Sequence, residues 1–220
     1  MFKFIKVSPS LIAINYKDEK VLEENLEKLR KSVASFLHLD VMDGKFVKNK
    51  TFDHKFIETI KNKTDLVLDV HLMVENPDEV ILDYINAGAD ILTVHIEASK
   101  GIEKTLKTIR DNGCLAGVAI SPETPVDRIK HLIKNELVDV VLVMSVQPGA
   151  CGQSFKPEAL LKVSQISDMN KSVDIEVDGG IDLENAKVLR KLGASVLVSG
   201  STIFNSSDIN STIKQLRGKE

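Results

Sequence analysis

Short β-branched, apolar runs alternate along the chain with stretches in which apolar residues recur at helical spacing. Strands are predicted over Phe4–Ser8, Phe36–Val41, Leu66–Leu72, Ile91–Ile96, Leu115–Ile120, Val138–Met144, Val173–Val177 and Ser195–Val198. Between them, Val21, Leu22, Leu26 and Leu29 share one helical face, as do Val80, Ile81, Tyr84 and Ile85. Leu106 with Ile109, and Ala186 with Leu189 and Leu192, repeat the pattern. Gly88, Gly113 and Gly193 mark helix ends, because a helix commonly stops on a residue in the left-handed region.

Such alternation of strand and helix argues for a parallel sheet. An open, doubly wound sheet would show the same periodicity, since periodicity does not report closure. The 220 residues divide into eight units of about 27, and a closed (β/α)8 TIM barrel takes ~200–250 residues. A single barrel domain over residues 1–220 is therefore the expectation. No Gly/Ser-rich linker or change in composition divides the chain.

The barrel reading places function at the C-terminal ends of the strands. Side chains alternate along a strand, so His38 and Asp40 share a face, Asp69 and His71 share one, and Glu176 and Asp178 share one. Each has an ordinary explanation: a buried histidine satisfied in the core, or an aspartate capping the next helix. Together they are harder to dismiss, because several buried carboxylates without counter-charge are costly. One divalent cation held by His38, Asp40, His71 and Asp178 removes that cost. Two imidazoles and two carboxylates suit zinc, iron, manganese or cobalt, and suit calcium poorly. Asp69 and Glu176 are candidates for groups that orient the ligands. Glycine-rich segments follow strands six to eight: Gln147 to Gln153, Asp178-Gly179-Gly180 and Ser199-Gly200-Ser201. Glycine lets backbone N–H groups approach an anion, and the loops after strands seven and eight are a recurrent phosphate site in barrels.

With these strings in view, the sequence resembles the ribulose-phosphate 3-epimerase family over almost its full length. The resemblance rests on Val7 to Ser10, His38 to Val47 (HLDVMDGKFV), Asp69 to Val74 (DVHLMV), Gly117 to Pro122, Val143 to Gly149, Glu176 to Ile181 and Ser199 to Phe204. It implies a ribulose-phosphate-binding type of barrel and an isomerase of the pentose phosphate pathway. That enzyme would interconvert D-ribulose 5-phosphate and D-xylulose 5-phosphate. It further implies that Asp40 and Asp178 are the proton-transfer groups and that zinc or iron sits on the four ligands. Ser10 and His71 would touch the sugar. Gly149, Ala150, Cys151, Gly152, Gly179, Gly180, Gly200 and Ser201 would hold the phosphate, and Met42, Met73 and Met144 would pack around the reacting carbons. The chain departs from the family pattern at Gln147, Ala150 and Cys151, where Asn, Phe and Gly are usual, and at Lys48, where Pro is usual. The altered loop keeps a six-carbon substrate such as allulose 6-phosphate in play. More distant readings are a phosphosugar-binding barrel without catalysis, and a decarboxylase or lyase, for which no strand end supplies the expected lysine.

Composition narrows the partners. Lys and Arg number 29 against 32 Asp and Glu, a net charge of −3, without the basic stripe of a nucleic-acid binder. No apolar run nears the ~20 residues of a membrane helix, and the amino-terminal segment lacks a signal-peptide core. Two cysteines, Cys114 and Cys151, suggest a reducing, cytoplasmic setting rather than a disulfide framework. A phosphorylated ketose is the expected partner, and assembly into a homo-oligomer is expected from the class of fold.

Overall fold

The computed structural model describes residues 4–218; the first three and last two residues of the expected domain lie outside it. Its strands are β1 (Lys6–Pro9), β2 (Phe36–Met42), β3 (Val67–Met73), β4 (Ile91–His95), β5 (Leu115–Ile120), β6 (Val140–Met144), β7 (Asp174–Asp178) and β8 (Val196–Ser199). Every strand pair is parallel, in the order β1-β8-β7-β6-β5-β4-β3-β2. A parallel bridge between Ser10 and His38 brings the two ends of the sheet together, and the Ser35 N–H donates to Val7 O at 3.4 Å. The sheet is thus a barrel and not an open, doubly wound sheet.

Helices follow the strands: α1 (Glu19–Arg30), α2 (His54–Lys61), α3 (Pro77–Asn86), α4 (Ile102–Asp111), α5 (Lys130–Lys134), α6 (Glu158–Met169), α7 (Leu183–Leu192), α8 (Ser201–Phe204) and α9 (Ile209–Leu216). Local chemistry sets their ends. Asp18 accepts from the Lys20 and Val21 N–H groups at the start of α1, and Asp182 and Asn185 form a reciprocal capping box on α7. Gly193 ends α7 at φ +111°, as its position predicted.

β5 matches its apolar run at both ends and β4 stops one residue early, while β1, β2, β3, β7 and β8 each end one residue later than expected. β1 starts at Lys6, whose N–H pairs with Ser195 O, and Phe4 lies outside the ladder. β2, β3, β7 and β8 run on to Met42, Met73, Asp178 and Ser199. At β7 and β8 the added residue is polar, Asp178 or Ser199, where apolar periodicity gives no signal but the ladder continues.

Alternate residues face opposite layers. Leu37, Leu39 and Val41 of β2 join Leu68, Val70 and Leu72 of β3 in the main core between sheet and helices. The other parity fills the barrel. Its lower layer is apolar, with Phe36, Ile91, Val140 and Val196 packed beside Val67. Above that layer the interior turns polar, with Ser8, His38, Asp69, His71, Thr93, His95 and Glu176 all essentially without solvent exposure. A barrel stabilised only by packing would fill these layers with branched apolar side chains.

Candidate active site

Asp40, on β2, stands at the centre of the polar layer. Its Oδ1 lies 3.2 Å from His38 Nε2 and 3.1 Å from His71 Nδ1, and its Oδ2 accepts from Ser10 Oγ at 2.8 Å. His38 turns its other nitrogen, Nδ1, to Asp69 Oδ2 at 2.8 Å, which also accepts from Ser8 Oγ at 2.9 Å. Glu176 Oε1 approaches the same His38 nitrogen at 3.5 Å. One donor atom from each of His38, Asp40, His71 and Asp178 lies within 4.8 Å of the other three. The four residues grouped by strand parity therefore converge, and Asp69 and Glu176 lie beneath them.

Burial and charge act strongly on this group. Burial works against the charge on His38, but Asp69 and Asp40 outweigh it and hold the imidazole well above its ordinary pKa. Burial would raise Asp40, but His38 and His71 drive it below the usual carboxylate range. Burial and the neighbouring Asp40 anion push Asp178 up to about 7. His71 is lowered by burial to about 4. Glu176 is raised by burial and by Asp69.

The donor set fits a divalent ion. Buried Asp40, Asp69 and Glu176 and half-buried Asp178 place four carboxyl groups together, whereas of the two imidazoles among them only His38 is held toward its charged form. Asp69 Oδ1 and Glu176 Oε1 have no hydrogen-bond partner. A cation on His38, Asp40, His71 and Asp178 would supply the missing positive charge, with nitrogen and oxygen donors of intermediate softness.

An open cavity of about 140 Å³ lies above this layer at the barrel mouth. Asp40 and Asp178 reach it; Ser10, Met42, Met73 and Met144 form part of its wall. Gly149, Ala150, Cys151, Gly152, Gly179, Gly180, Gly200 and Ser201 line its far side together. His38 and His71 are fully buried and are not among the lining residues. The sugar contact expected of His71 is not among the contacts that its placement offers directly, since it is fully buried and does not line the cavity.

The phosphate-side loops are tied to one another. Asn49 Nδ2 donates to Gly149 O at 2.7 Å, linking the loop after β2 to the loop after β6. Gln153 Nε2 donates to Gln147 O and Ala150 O at 2.7 and 2.9 Å, folding the altered loop back on itself. Gly180, at φ +61°, brings its α-carbon so near this loop that a β-carbon would lie 2.6 Å from Phe155 N and 2.8 Å from Gln153 O. Gly200 caps α8 without a side-chain hydrogen bond.

His95 and Glu97 escaped the sequence reading. His95 Nε2 lies 2.9 Å from His71 Nε2, and His95 Nδ1 lies 3.0 Å from Glu97 Oε2. The alternation that singled out β2, β3 and β7 applies equally to His95 at the end of β4, and would have found it.

Known proteins place this architecture. The model of the ribulose-phosphate 3 epimerase family matches residues 6–204. The chain is 39% identical to a ribulose-phosphate 3-epimerase of Bacillus subtilis, over 98% of this chain and 100% of that one. It is 41% identical to one of Chlamydia muridarum, covering 96% and 93%. Among solved structures, KGPDC from Streptococcus mutans superposes with a TM-score of 0.73 at 13% identity, covering 98% of this chain and 97% of that one, a likeness of fold.

Proposed function

The chain belongs to the ribulose-phosphate 3-epimerase family, and from that premise we propose that it interconverts D-ribulose 5-phosphate and D-xylulose 5-phosphate by moving a proton at C3. The observation that carries this reading is a pair of carboxyl groups, buried Asp40 and half-buried Asp178. They come from β2 and β7, line one cavity, and offer donor atoms to the same cluster. Binding a phosphosugar needs no such pair; inverting a carbon beside a carbonyl does, because the proton leaves one face and arrives on the other.

Asp40, favoured as the anion, takes the C3 proton. The C–H electron pair moves into the C2–C3 bond, and negative charge gathers on O2. Asp178, favoured as the acid, delivers its proton to C3 from the opposite face, and the charge on O2 returns to a carbonyl. The reverse reaction exchanges the two roles. A divalent ion on His38, Asp40, His71 and Asp178, with zinc or iron best suited and manganese or cobalt as substitutes, would act as a Lewis acid toward the charge on O2. Ser10, bonded to Asp40 Oδ2, fixes that carboxylate at the cavity wall. Met42, Met73 and Met144 give the reacting carbons an apolar surround that keeps water from protonating the planar intermediate. The glycine loops and Ser201 hold the phosphate, and that remote binding energy positions C3 between the acids.

The free thiols of Cys114 and Cys151 support a reducing, cytoplasmic setting, and no helix among the described residues is long and apolar enough to cross a membrane. Homo-oligomerisation belongs to the same reading and is tested by light scattering. The activity is tested by measuring turnover of zinc- or iron-loaded protein on ribulose 5-phosphate and on allulose 6-phosphate. Faster epimerisation of the five-carbon substrate is expected. Preference for the six-carbon substrate would reassign the substrate, and binding without turnover of either would remove the enzymatic reading.

A further inference from the structure

Beside the proposed metal ligands, a line of polar groups runs outward from buried His71 and His95 to Glu97 at the surface. His71 directs Nδ1 toward Asp40 and the ligand cluster, and Nε2 toward His95 Nε2 at 2.9 Å. His95 directs Nδ1 to Glu97 Oε2 at 3.0 Å. The other carboxylate oxygen, Glu97 Oε1, accepts from the Ser121 N–H at 2.9 Å and from the Thr124 hydroxyl. Lys162 Nζ anchors that loop by donating to the carbonyls of Ser121, Pro122 and Thr124 at 2.8, 2.8 and 2.7 Å. The Phe46 ring packs on His95 at 4.8 Å between centroids, and both histidines are fully buried.

We propose that His95 and Glu97 are positioning residues that fix His71 in the one tautomer able to bind a metal. The inference rests on the assignment of His71 as a ligand. A ligating His71 presents the Nδ1 lone pair, so its proton sits on Nε2. Two ring nitrogens 2.9 Å apart share one proton, so His95 Nε2 must be the acceptor. The remaining proton of His95 is then on Nδ1, facing Glu97. A carboxylate at that point accepts it, and Glu97 stays a carboxylate: burial would raise it, but the bonds from His95, Thr124 and Ser121 bring it down to about 2. Each hydrogen bond thus has one direction, set at the outer end by the Glu97 carboxylate, whose Oε1 accepts from the Ser121 N–H and the Thr124 hydroxyl. The negative charge at the far end also strengthens His71 as a donor to the metal.

Glu97→Gln exposes this directionality without changing shape. The Ser121 and Thr124 donors hold the amide oxygen, so the amide NH2 faces His95 Nδ1. His95 must then accept at Nδ1 and carry its proton on Nε2, against the Nε2 proton of His71. We measure zinc affinity by chelator competition in the wild type, Glu97→Gln, His95→Leu and His71→Ala, and record histidine 1H–15N spectra of the zinc-loaded forms. Expected are zinc binding weaker by about 10–100-fold in Glu97→Gln and His95→Leu, and, in the wild type, His95 protonated at Nδ1 and His71 at Nε2. Thermal unfolding of Glu97→Gln without metal should match the wild type within about 3 °C, the scale of 1 kcal/mol for a chain of this size. Wild-type zinc affinity in both Glu97→Gln and His95→Leu, with the expected loss in His71→Ala, would overturn the inference alone. Loss in His95→Leu but not in Glu97→Gln would overturn the directional chain and leave only packing. Unchanged affinity in His71→Ala would instead overturn the ligand assignment beneath it.

Discussion

Replacing Gly180 by alanine tests whether the loops after β6 and β7 form an anion cradle or are merely turns. Gly180 adopts φ +61°, which costs an alanine about 1 kcal/mol. The added β-carbon would also meet the backbone: Phe155 N at 2.6 Å, Gln153 O at 2.8 Å and the Phe155 α-carbon at 3.1 Å. These atoms cannot rotate away as a side chain would, so the segment around Gln153 must move outward. Gln153 staples the loop through Gln147 O and Ala150 O, and that loop lines the cavity. Displacing it removes at least one backbone donor from the phosphate. A hydrogen bond to a charged group contributes about 1.5–3 kcal/mol, which is about 10–100-fold in affinity. Gly113→Ala is the control: it has φ +86° but nothing within 4 Å of the new β-carbon, and it lies beyond α4, away from the cavity. Titration calorimetry with inorganic phosphate, steady-state kinetics and thermal unfolding separate the effects. Gly113→Ala should lose about 2–4 °C in Tm from backbone strain, and Gly180→Ala more, because its β-carbon also meets backbone atoms. Only Gly180→Ala should raise the phosphate Kd and the KM for ribulose 5-phosphate by about 10–100-fold. A phosphate Kd within threefold of wild type in Gly180→Ala, about 0.6 kcal/mol, would refute the cradle.

Three further outcomes follow from the same geometry. Gly200→Val would press its β-carbon to 2.8 Å from the Ala13 side chain, moving the loop after β1 and blocking the anion's approach at α8; calorimetry should show weaker phosphate binding with zinc affinity retained, and unchanged phosphate affinity would count against it. Gly117→Ala places a β-carbon 2.1 Å from Thr93 Oγ1 and 2.9 Å from its β-carbon inside the barrel, so denaturant unfolding should show a loss of at least about 1–3 kcal/mol; a neutral effect would mean that β4 and β5 are not packed in this register. In metal-free protein His38 holds its proton above the ordinary histidine range, because Asp69 and Asp40 outweigh burial, and a metal must displace that proton; zinc affinity should rise at least about tenfold per pH unit between pH 6 and 7, and a flat profile by chelator competition would contradict the charged His38.

Much of the site was visible in the sequence because strand alternation is a strict local rule. His38 with Asp40, Asp69 with His71, and Glu176 with Asp178 fall on one parity, and the barrel does bring them into one layer. What local pattern lacks is depth. His71 and Asp40 are neighbours in register across β2 and β3, yet Asp40 lines the cavity and His71 is fully buried and does not. Only the tilt and stagger of the closed barrel decide that. Closure itself rests on the Ser10–His38 bridge, between residues whose separation no periodicity can join. β7 ends later than predicted because the polar Asp178 interrupts the apolar pattern while the ladder continues to it. His95 went unnoticed because β4 ends in one histidine with no acidic neighbour of the same parity inside the strand; its partner, Glu97, sits just beyond it.

The fate of the C3 proton tests the central claim most directly. Zinc-loaded protein incubated with ribulose 5-phosphate in D2O, stopped at low conversion and analysed by NMR, reports which protons reach product. If Asp40 removes the proton from one face and Asp178 supplies another from the opposite face, early xylulose 5-phosphate carries deuterium at C3. The remaining ribulose 5-phosphate stays largely protonated there. A single group serving both faces would carry the original proton across, so substantial protium at C3 of the earliest product would contradict the two-acid account, as would the absence of any conversion.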